Sequence, residues 1–323
     1  MNKPTKILLA LCVGLPLAAQ APSLNGTSLI SAPIWTAISS APSGDSAAEN
    51  EHPAHPEPVP DLGLSNFFSA GWDQPWEHRH DRYTPDMALL KVTTNALEKE
   101  LRIDYIDTSV RGNAKVDTSQ VGSALIAFAI NRRLMVEVIN NAQWNMDFHH
   151  TTTSGSGGGG VLRLQLADTQ TSCTSFQVKA AVPNKGLGQT QTTLSYALAS
   201  WQDLHALLPG LGKTGLYESI QYDKLEGPAK PGAKSKGMAA DITLAKTWTE
   251  ASDSPLGRFT TFGEFYAGRD LDGPNQGQTV ASFTPGIRTW FSKNNSLMLG
   301  EDLPLGHRAN FYRALRLTYI FNF

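Results

Sequence analysis

Apolar and polar residues alternate one by one along much of the chain from about residue 98 onward. Leu101, Ile103 and Tyr105 alternate with charged residues, and residues 162–166 repeat the pattern with leucine at every second position. A strand needs this period of two when its faces meet different surroundings. The pattern therefore predicts β-strands with one apolar and one polar face.

Twelve such strands can be placed between residues 98 and 323. Their expected spans are 98–109, 121–130, 133–144, 160–169, 174–182, 190–200, 214–224, 237–249, 257–268, 278–291, 296–302 and 310–323. Each is close to the roughly 9–11 residues that a tilted strand needs to cross a bilayer. We therefore predict an all-β fold, a transmembrane antiparallel up-and-down β-barrel of about 12 strands.

The first 21 residues have the pattern of a cleaved secretory signal. Lys3 and Lys6 precede the apolar run 7–19, which is too short to span a bilayer as a helix. The small-x-small pattern at 19–21 suits cleavage, and an uncleaved membrane anchor is the alternative. Cys173 would be the one cysteine left, so we expect no internal disulfide.

Two further segments precede the predicted barrel. Residues 22–65 are rich in Ala, Ser and Pro, and the prolines of 53–60 exclude a helix or a central strand. We predict a disordered periplasmic linker there. Residues 66–97 include Phe67, Phe68, Trp72, Trp76 and Tyr83, and we expect a short plug or flap against the periplasmic mouth.

The C-terminal run from Arg313 resembles the closing strand of outer-membrane barrels, which ends in an aromatic residue with apolar residues at alternate positions. The matching residues are Leu317, Tyr319, Phe321 and Phe323. The resemblance implies recognition by the barrel-assembly machinery and an apolar face toward outer-membrane lipid. Ile320 is the one exception to the alternation.

The connections test this orientation. If the last strand ends in the periplasm, short periplasmic turns should alternate with longer outer loops. The turns 131–133 and 293–295 fall on the periplasmic side, and the predicted loops 145–159 and 225–236 fall outside. The connection 201–213 is long yet periplasmic, which predicts either a short helix there or an error of register.

A second resemblance covers the layout of residues 86–323. The chain is similar to outer-membrane barrels grouped as transporters of the phenol-degradation meta-pathway type. The similarity is carried by residues 101–105, the hairpin 127–138 and Gly186-Leu187-Gly188-Gln189-Thr190, although that family usually has an acidic residue where Gln189 stands. It implies movement of small hydrophobic or aromatic solutes across the outer membrane.

Charged residues at inward strand positions are the candidate lining of the lumen. They are Glu100, Arg102, Asp104, Glu137, Arg163, Lys179, Glu218, Glu264, Arg288, Glu301 and Arg316. They could line a channel, or they could form ion pairs that fill a narrow interior. Burial without partners would be costly, so we expect these charges to pair across strands.

Other chemistry is not predicted. The net charge of -2 gives no reason to expect nucleic-acid binding. The histidines at 52, 55, 78, 80, 149 and 150 lack the ligand spacing of a known metal site, so we expect exposed loops there and no cofactor.

Several functions remain open at this stage. A channel for small solutes is the favoured one, and a structural or adhesive barrel is the alternative. An outer-membrane lipid hydrolase would need a base and nucleophile in contact, and no such pair can be nominated, so we expect no enzyme. A soluble periplasmic sandwich would use the aromatic residues as core instead of as a membrane girdle.

Overall fold

A computed structural model describes residues 59–79, 82–111, 116–147, 149, 151–187, 189–227, 234–249, 257–306 and 308–323. The predicted signal at 1–21, and the predicted linker as far as residue 58, lie outside the described residues. No helix within these ranges is long and apolar enough to cross a membrane.

Twelve antiparallel strands close into a barrel in the described part of the chain, which confirms the predicted fold class. They are β1 (Lys99–Val110), β2 (Thr118–Ala129), β3 (Leu134–Met146), β4 (Thr152–Asp168), β5 (Ser172–Val182), β6 (Thr192–Asp203), β7 (Thr214–Glu226), β8 (Lys236–Thr247), β9 (Arg258–Asp270), β10 (Thr279–Trp290), β11 (Asn295–Pro304) and β12 (Phe311–Asn322). Each strand pairs with its neighbours in sequence. We call the end where β1 begins and β12 ends the near end, and the other the far end.

The first and last strands close the barrel. Leu101 of β1 lies opposite Phe321 of β12, and the Phe323 N–H donates to the Lys99 carbonyl oxygen over 3.1 Å. The apolar, odd-numbered residues of β12 point outward. The run predicted to be the closing strand therefore has that place in the barrel.

The wall has an apolar outer face and a polar inner face. Large apolar side chains exposed on the outside include Val138, Leu162, Leu198, Ile220, Ile242, Leu244, Phe265, Ile287, Leu299 and Leu315. Polar side chains buried on the inside include Gln177, Ser219, Asp241, Thr243, Thr284 and Thr318. A soluble sandwich would bury the apolar set, so this arrangement argues against that alternative.

The connection 204–213 at the near end is long because it contains a short helix. This was one of the two possibilities predicted for it. Helix α1 (Leu204–Leu207) is followed by a 3-10 turn (Pro209–Leu211). The Asp203 carboxylate caps α1 by accepting the His205 N–H over 2.9 Å. The strand register continues through this connection, as β6 and β7 pair along their whole length.

The predicted outer loop 145–159 is wrong. β3 continues to Met146 and β4 begins at Thr152, so the glycine-rich run 155–160 lies inside a strand. A Cβ at Gly155 would collide with the Asn184 side chain, and a Cβ at Gly186 would lie 2.6 Å from the Gly155 Cα. The glycines therefore make room on the inner wall for the connection 183–191.

Residues 84–98, which we call the inner segment, fill the near half of the barrel. Met87, Leu89, Leu90 and Val92 are buried in one apolar cluster. Wall residues in the same cluster are Cys173, Trp201, Tyr217, Ala245, Phe262, Met298 and Ile320. Ile320 thus breaks the alternation of β12 because its inward side chain packs against protein and not against water.

Candidate functional site

Wall side chains bind the backbone of the inner segment. This segment forms no helix or ladder over most of its length, so its N–H and C=O groups need partners from the wall. The bonds to its carbonyl oxygens come from Tyr217 Oη to Pro85 (2.7 Å), Arg288 Nη1 to Ala88 (2.8 Å), Cys173 Sγ to Asn95 (3.1 Å) and Arg163 Nη1 to Ala96 (2.9 Å). The wall therefore fixes the segment along its length.

Glu264 of β9 holds the deepest point of the inner segment. Its Oε1 accepts the N–H of Leu90 over 3.0 Å and that of Lys91 over 3.3 Å. The side chain is fully buried, and its Oε2 has no hydrogen-bond partner among the described residues. Because burying a carboxylate is costly, these two bonds are its main local compensation.

Lys91 extends these contacts to the middle of the lumen. Its Nζ donates to Ser282 Oγ over 2.6 Å and lies 3.7 Å from Asp302 Oδ2. The same carboxylate accepts a hydrogen bond from Arg316 Nε over 2.9 Å and one from the Thr284 hydroxyl over 2.6 Å. One buried carboxylate therefore lies between two cations, Lys91 and Arg316, at the deepest point of the inner segment.

Two further groups of charged wall residues pair across or along strands. Arg163 Nη2 lies 2.7 Å from Glu137 Oε1 on the neighbouring strand. Arg102 Nε lies 2.8 Å from Asp104 Oδ1, and Asp104 also accepts from the Thr318 hydroxyl over 2.5 Å. The charged wall residues thus both pair with one another and attach the inner segment. The two arrangements predicted from the sequence, a channel lining or ion pairs that fill the interior, do not include such an attachment.

Nine of the eleven predicted lumen residues lie on the inner face of the wall. They are Glu100, Arg102, Asp104, Glu137, Arg163, Lys179, Glu264, Arg288 and Arg316. The structure places the other two on the outer face. Glu218 lies between the buried residues Tyr217 and Ser219, and Glu301 lies next to the buried Asp302.

Sequence reasoning assigned these two residues to the wrong face because a charged residue was assumed to point inward. In both β7 and β11, the alternation of inward and outward positions along the strand indicates the correct, outward face for the glutamate. It also identifies inward acids that were missed, Asp241 of β8 and Asp302 of β11, both of which are buried.

A cluster of arginines, not predicted from the sequence, attaches residues 59–79 and 82–83 to the near end. Arg82 forms ion pairs with Asp86 over 2.9 Å and with Asp168, which also lies 3.6 Å from Arg132. Arg133 is fully buried and donates to the carbonyl oxygens of Ala70, Gln165, Leu166, Gly63 and Asn66. The sequence pattern at Arg132-Arg133 predicts only a turn.

The aromatic residues of the predicted plug 66–97 do not form its inserted part. Phe67, Phe68 and Trp72 pack against one another at the near end, and Phe68 is 93% exposed. The Asn131 side chain of the β2–β3 turn donates to the Trp72 carbonyl oxygen over 2.9 Å. The residues that enter the barrel are the mostly aliphatic ones of the inner segment.

The connection 183–191 narrows the far half of the barrel. Its 3-10 turn (Lys185–Leu187) packs on the glycine run of β4. The Gln189 side chain accepts the Asn184 N–H over 3.1 Å, and the Gln189 N–H donates to the Asn184 carbonyl oxygen over 3.2 Å. Gln189 therefore stabilises this connection.

No group of three metal-ligating side chains is found in the described residues. Of the histidine segments singled out in the sequence, His78 and His149 are described, whereas His52, His55, His80 and His150 lie outside the described residues. Cys173 is buried, and the Gln165 amide donates to its Sγ over 3.0 Å.

Two solved structures are similar to this chain, and the first of them supports the fold. An outer-membrane channel from Pseudomonas putida F1 is 15% identical, with a TM-score of 0.52 over 73% of this chain and 100% of that one. The NanC porin is 11% identical, with a TM-score of 0.46 over 69% of this chain and 99% of that one. No protein-family model and no curated protein matches the chain, so the resemblance to the phenol-degradation transporters stays a prediction.

Proposed function

We propose that this chain is an outer-membrane channel for small hydrophobic or aromatic solutes, in which movement of the inner segment opens the near half. In this proposal the near end faces the periplasm, and the apolar outer face contacts outer-membrane lipid. The chain would reach this membrane through its N-terminal signal and the barrel-assembly machinery.

The observation that carries the proposal is the content of the barrel. A closed wall with an apolar outside suits a bilayer, because a closed barrel leaves no unpaired sheet edge. The near half is filled by a segment without regular structure, and not by wall side chains alone. Such a segment can leave without breaking the barrel.

The solute class is supported by what the inner segment covers. If the segment moved away, the apolar or aromatic side chains of Trp201, Tyr217, Phe262, Met298 and Ile320 would line part of the near half, beside charged wall residues such as Arg163 and Arg288. An apolar surface of this kind suits a hydrophobic solute better than a sugar or an ion. The resemblance described for residues 101–105, 127–138 and 186–190 points to the same class.

Solute flux into liposomes tests the proposal. Purified full-length protein should carry phenol-sized aromatic solutes faster than sugars of similar size, as measured by stopped-flow uptake. Phe262→Asp should reduce this preference, whereas Phe265→Asp, at an outward position of the same strand near the membrane centre, should instead impair assembly. Equal flux of aromatics and sugars would contradict the solute class, and no flux of any solute would contradict transport.

A structural or adhesive barrel is the second candidate, because the inner segment is attached by many hydrogen bonds. Under this alternative the segment never leaves the lumen. Liposomes holding folded protein would then show no flux, even for variants in which the contacts to the inner segment are removed. Heat-modifiable migration on gels would verify that the barrel is folded in each case.

A further inference from the structure

Glu218 lies on the outer wall near the middle of the apolar belt. The outward positions of β7 run Thr214, Leu216, Glu218, Ile220 and Tyr222. Glu218 is four residues from Thr214, where β7 begins, and in a tilted strand this corresponds to a depth of about 10 Å from the near end. Among the described residues its carboxylate has no hydrogen bond or ion pair. A lipid-facing carboxylate at this depth is unfavourable without a partner.

Two hydroxyl groups extend from Glu218 across the neighbouring strands. Ser200 of β6 lies directly opposite Glu218, and Thr174 of β5 lies directly opposite Ser200. All three side chains are outward and partly exposed. We call Thr174, Ser200 and Glu218 together the polar row. Apolar side chains such as Leu198 and Ile220 lie beside it.

The described part of the wall offers Glu218 no cation within reach. On the other side of β7 its partner is Ile242, and the outward Lys246 lies two outward positions away, over the Trp248 ring at 4.6 Å. The other outward glutamate, Glu301, differs in having a cation on the adjacent strand, because Arg313 of β12 is exposed there. A cation or a further hydrogen-bond donor for Glu218 would therefore come from outside the described residues of this chain.

We propose that the polar row is the contact between two copies of this chain in the membrane. A two-fold axis close to Ser200 would bring each Glu218 to the hydroxyl groups of the other copy. A two-fold contact uses the same surface of both copies. The polar row can pair with itself in this way, because the Glu218 carboxylate accepts hydrogen bonds and the Ser200 and Thr174 hydroxyl groups donate them. In hydrocarbon, where water cannot compete, such hydrogen bonds favour association.

Cysteine cross-linking in isolated outer membranes tests the contact. Ser200→Cys should give a disulfide-linked dimer on mild oxidation, whereas Leu299→Cys, exposed on β11 at another part of the wall, should not. The unmodified chain is the blank, since Cys173 is buried. In the Ser200→Cys background, Glu218→Leu should lower the dimer yield about tenfold, and Glu218→Gln, which still accepts hydrogen bonds, should lower it much less.

Three outcomes would overturn the proposal. One is no dimer at residue 200 in a variant whose heat-modifiable migration shows a folded barrel. A second is equal cross-linking at 200 and 299, which would indicate random collision. The third is capture of a different membrane protein at 200, which would mean that the row binds another partner.

Discussion

Replacing Glu264 with leucine should release the deepest point of the inner segment. The change removes the acceptor of the Leu90 and Lys91 N–H groups, at 3.0 and 3.3 Å, and leaves both donors unpaired. Hydrogen bonds to a charged group contribute about 1.5–3 kcal/mol each, and leucine recovers some energy by avoiding a buried carboxylate. We expect a net loss of about 3 kcal/mol in the free energy that holds the segment.

Hydrogen exchange of the Leu90 and Lys91 amides measures this loss. A change of about 3 kcal/mol corresponds to exchange faster by about two orders of magnitude. Glu264→Gln keeps an acceptor and should show a much smaller effect. Thr243→Val is the matched control, since Thr243 lies opposite Glu264, is fully buried and has an unpartnered hydroxyl among the described residues.

Unchanged exchange at Leu90 and Lys91 in Glu264→Leu would refute the reasoning. So would equal acceleration in the wall strands, because that would mean that the substitution loosens the whole barrel. Only a local increase confined to the inner segment agrees with the proposed role of Glu264.

Three other predictions concern separate parts of the barrel. Phe323→Ala should lower the yield of heat-modifiable, membrane-assembled protein, whereas Phe68→Ala at a 93% exposed near-end position should not. Gly155→Val should displace the connection 183–191 from the wall and expose it to added protease, while the barrel core stays resistant. The pKa of Asp272, between β9 and β10, is lowered by the Ser235 hydroxyl and by the N–H groups of Ser235 and Lys236. Since the folded pKa is depressed, this contact stabilises the far end above the ordinary aspartate pKa and is lost as the pH falls through the lowered value. Exchange of the Ser235 and Lys236 amides should therefore accelerate in acid beyond its intrinsic pH dependence, and Asp272→Asn should remove that dependence.

The strands were predictable because the wall lies between two different surroundings. That contrast produces the alternation seen at Leu101, Ile103 and Tyr105, and the predicted ends agree with the structure to within a few residues for most strands. β4 is the exception. Its glycine-rich run 155–160 is typical of a loop by composition, and the packing of Asn184 against Gly155 and Gly157 shows why small residues are needed at those two positions.

The inner segment could not be derived from periodicity. Met87, Ala88, Leu89 and Leu90 form an unbroken apolar run and are all buried, so no alternation marks one face of the segment. The arginines that attach it, Arg163 and Arg288, were found as inward residues, but their bonds to backbone carbonyls depend on residues 67 and 200 positions away in sequence. Sequence patterns do not encode such contacts.

The central claim is that the inner segment closes the near half of a channel, and a reversible lock tests it. A Cβ at Gly300 would lie 2.5 Å from Leu90 Cδ1, so the pair Leu90→Cys and Gly300→Cys can tie the segment to β11. In planar bilayers we predict that the oxidised variant shows almost no conductance and that a reductant restores openings. Equal conductance before and after reduction, with the disulfide verified by mass spectrometry, would contradict the account.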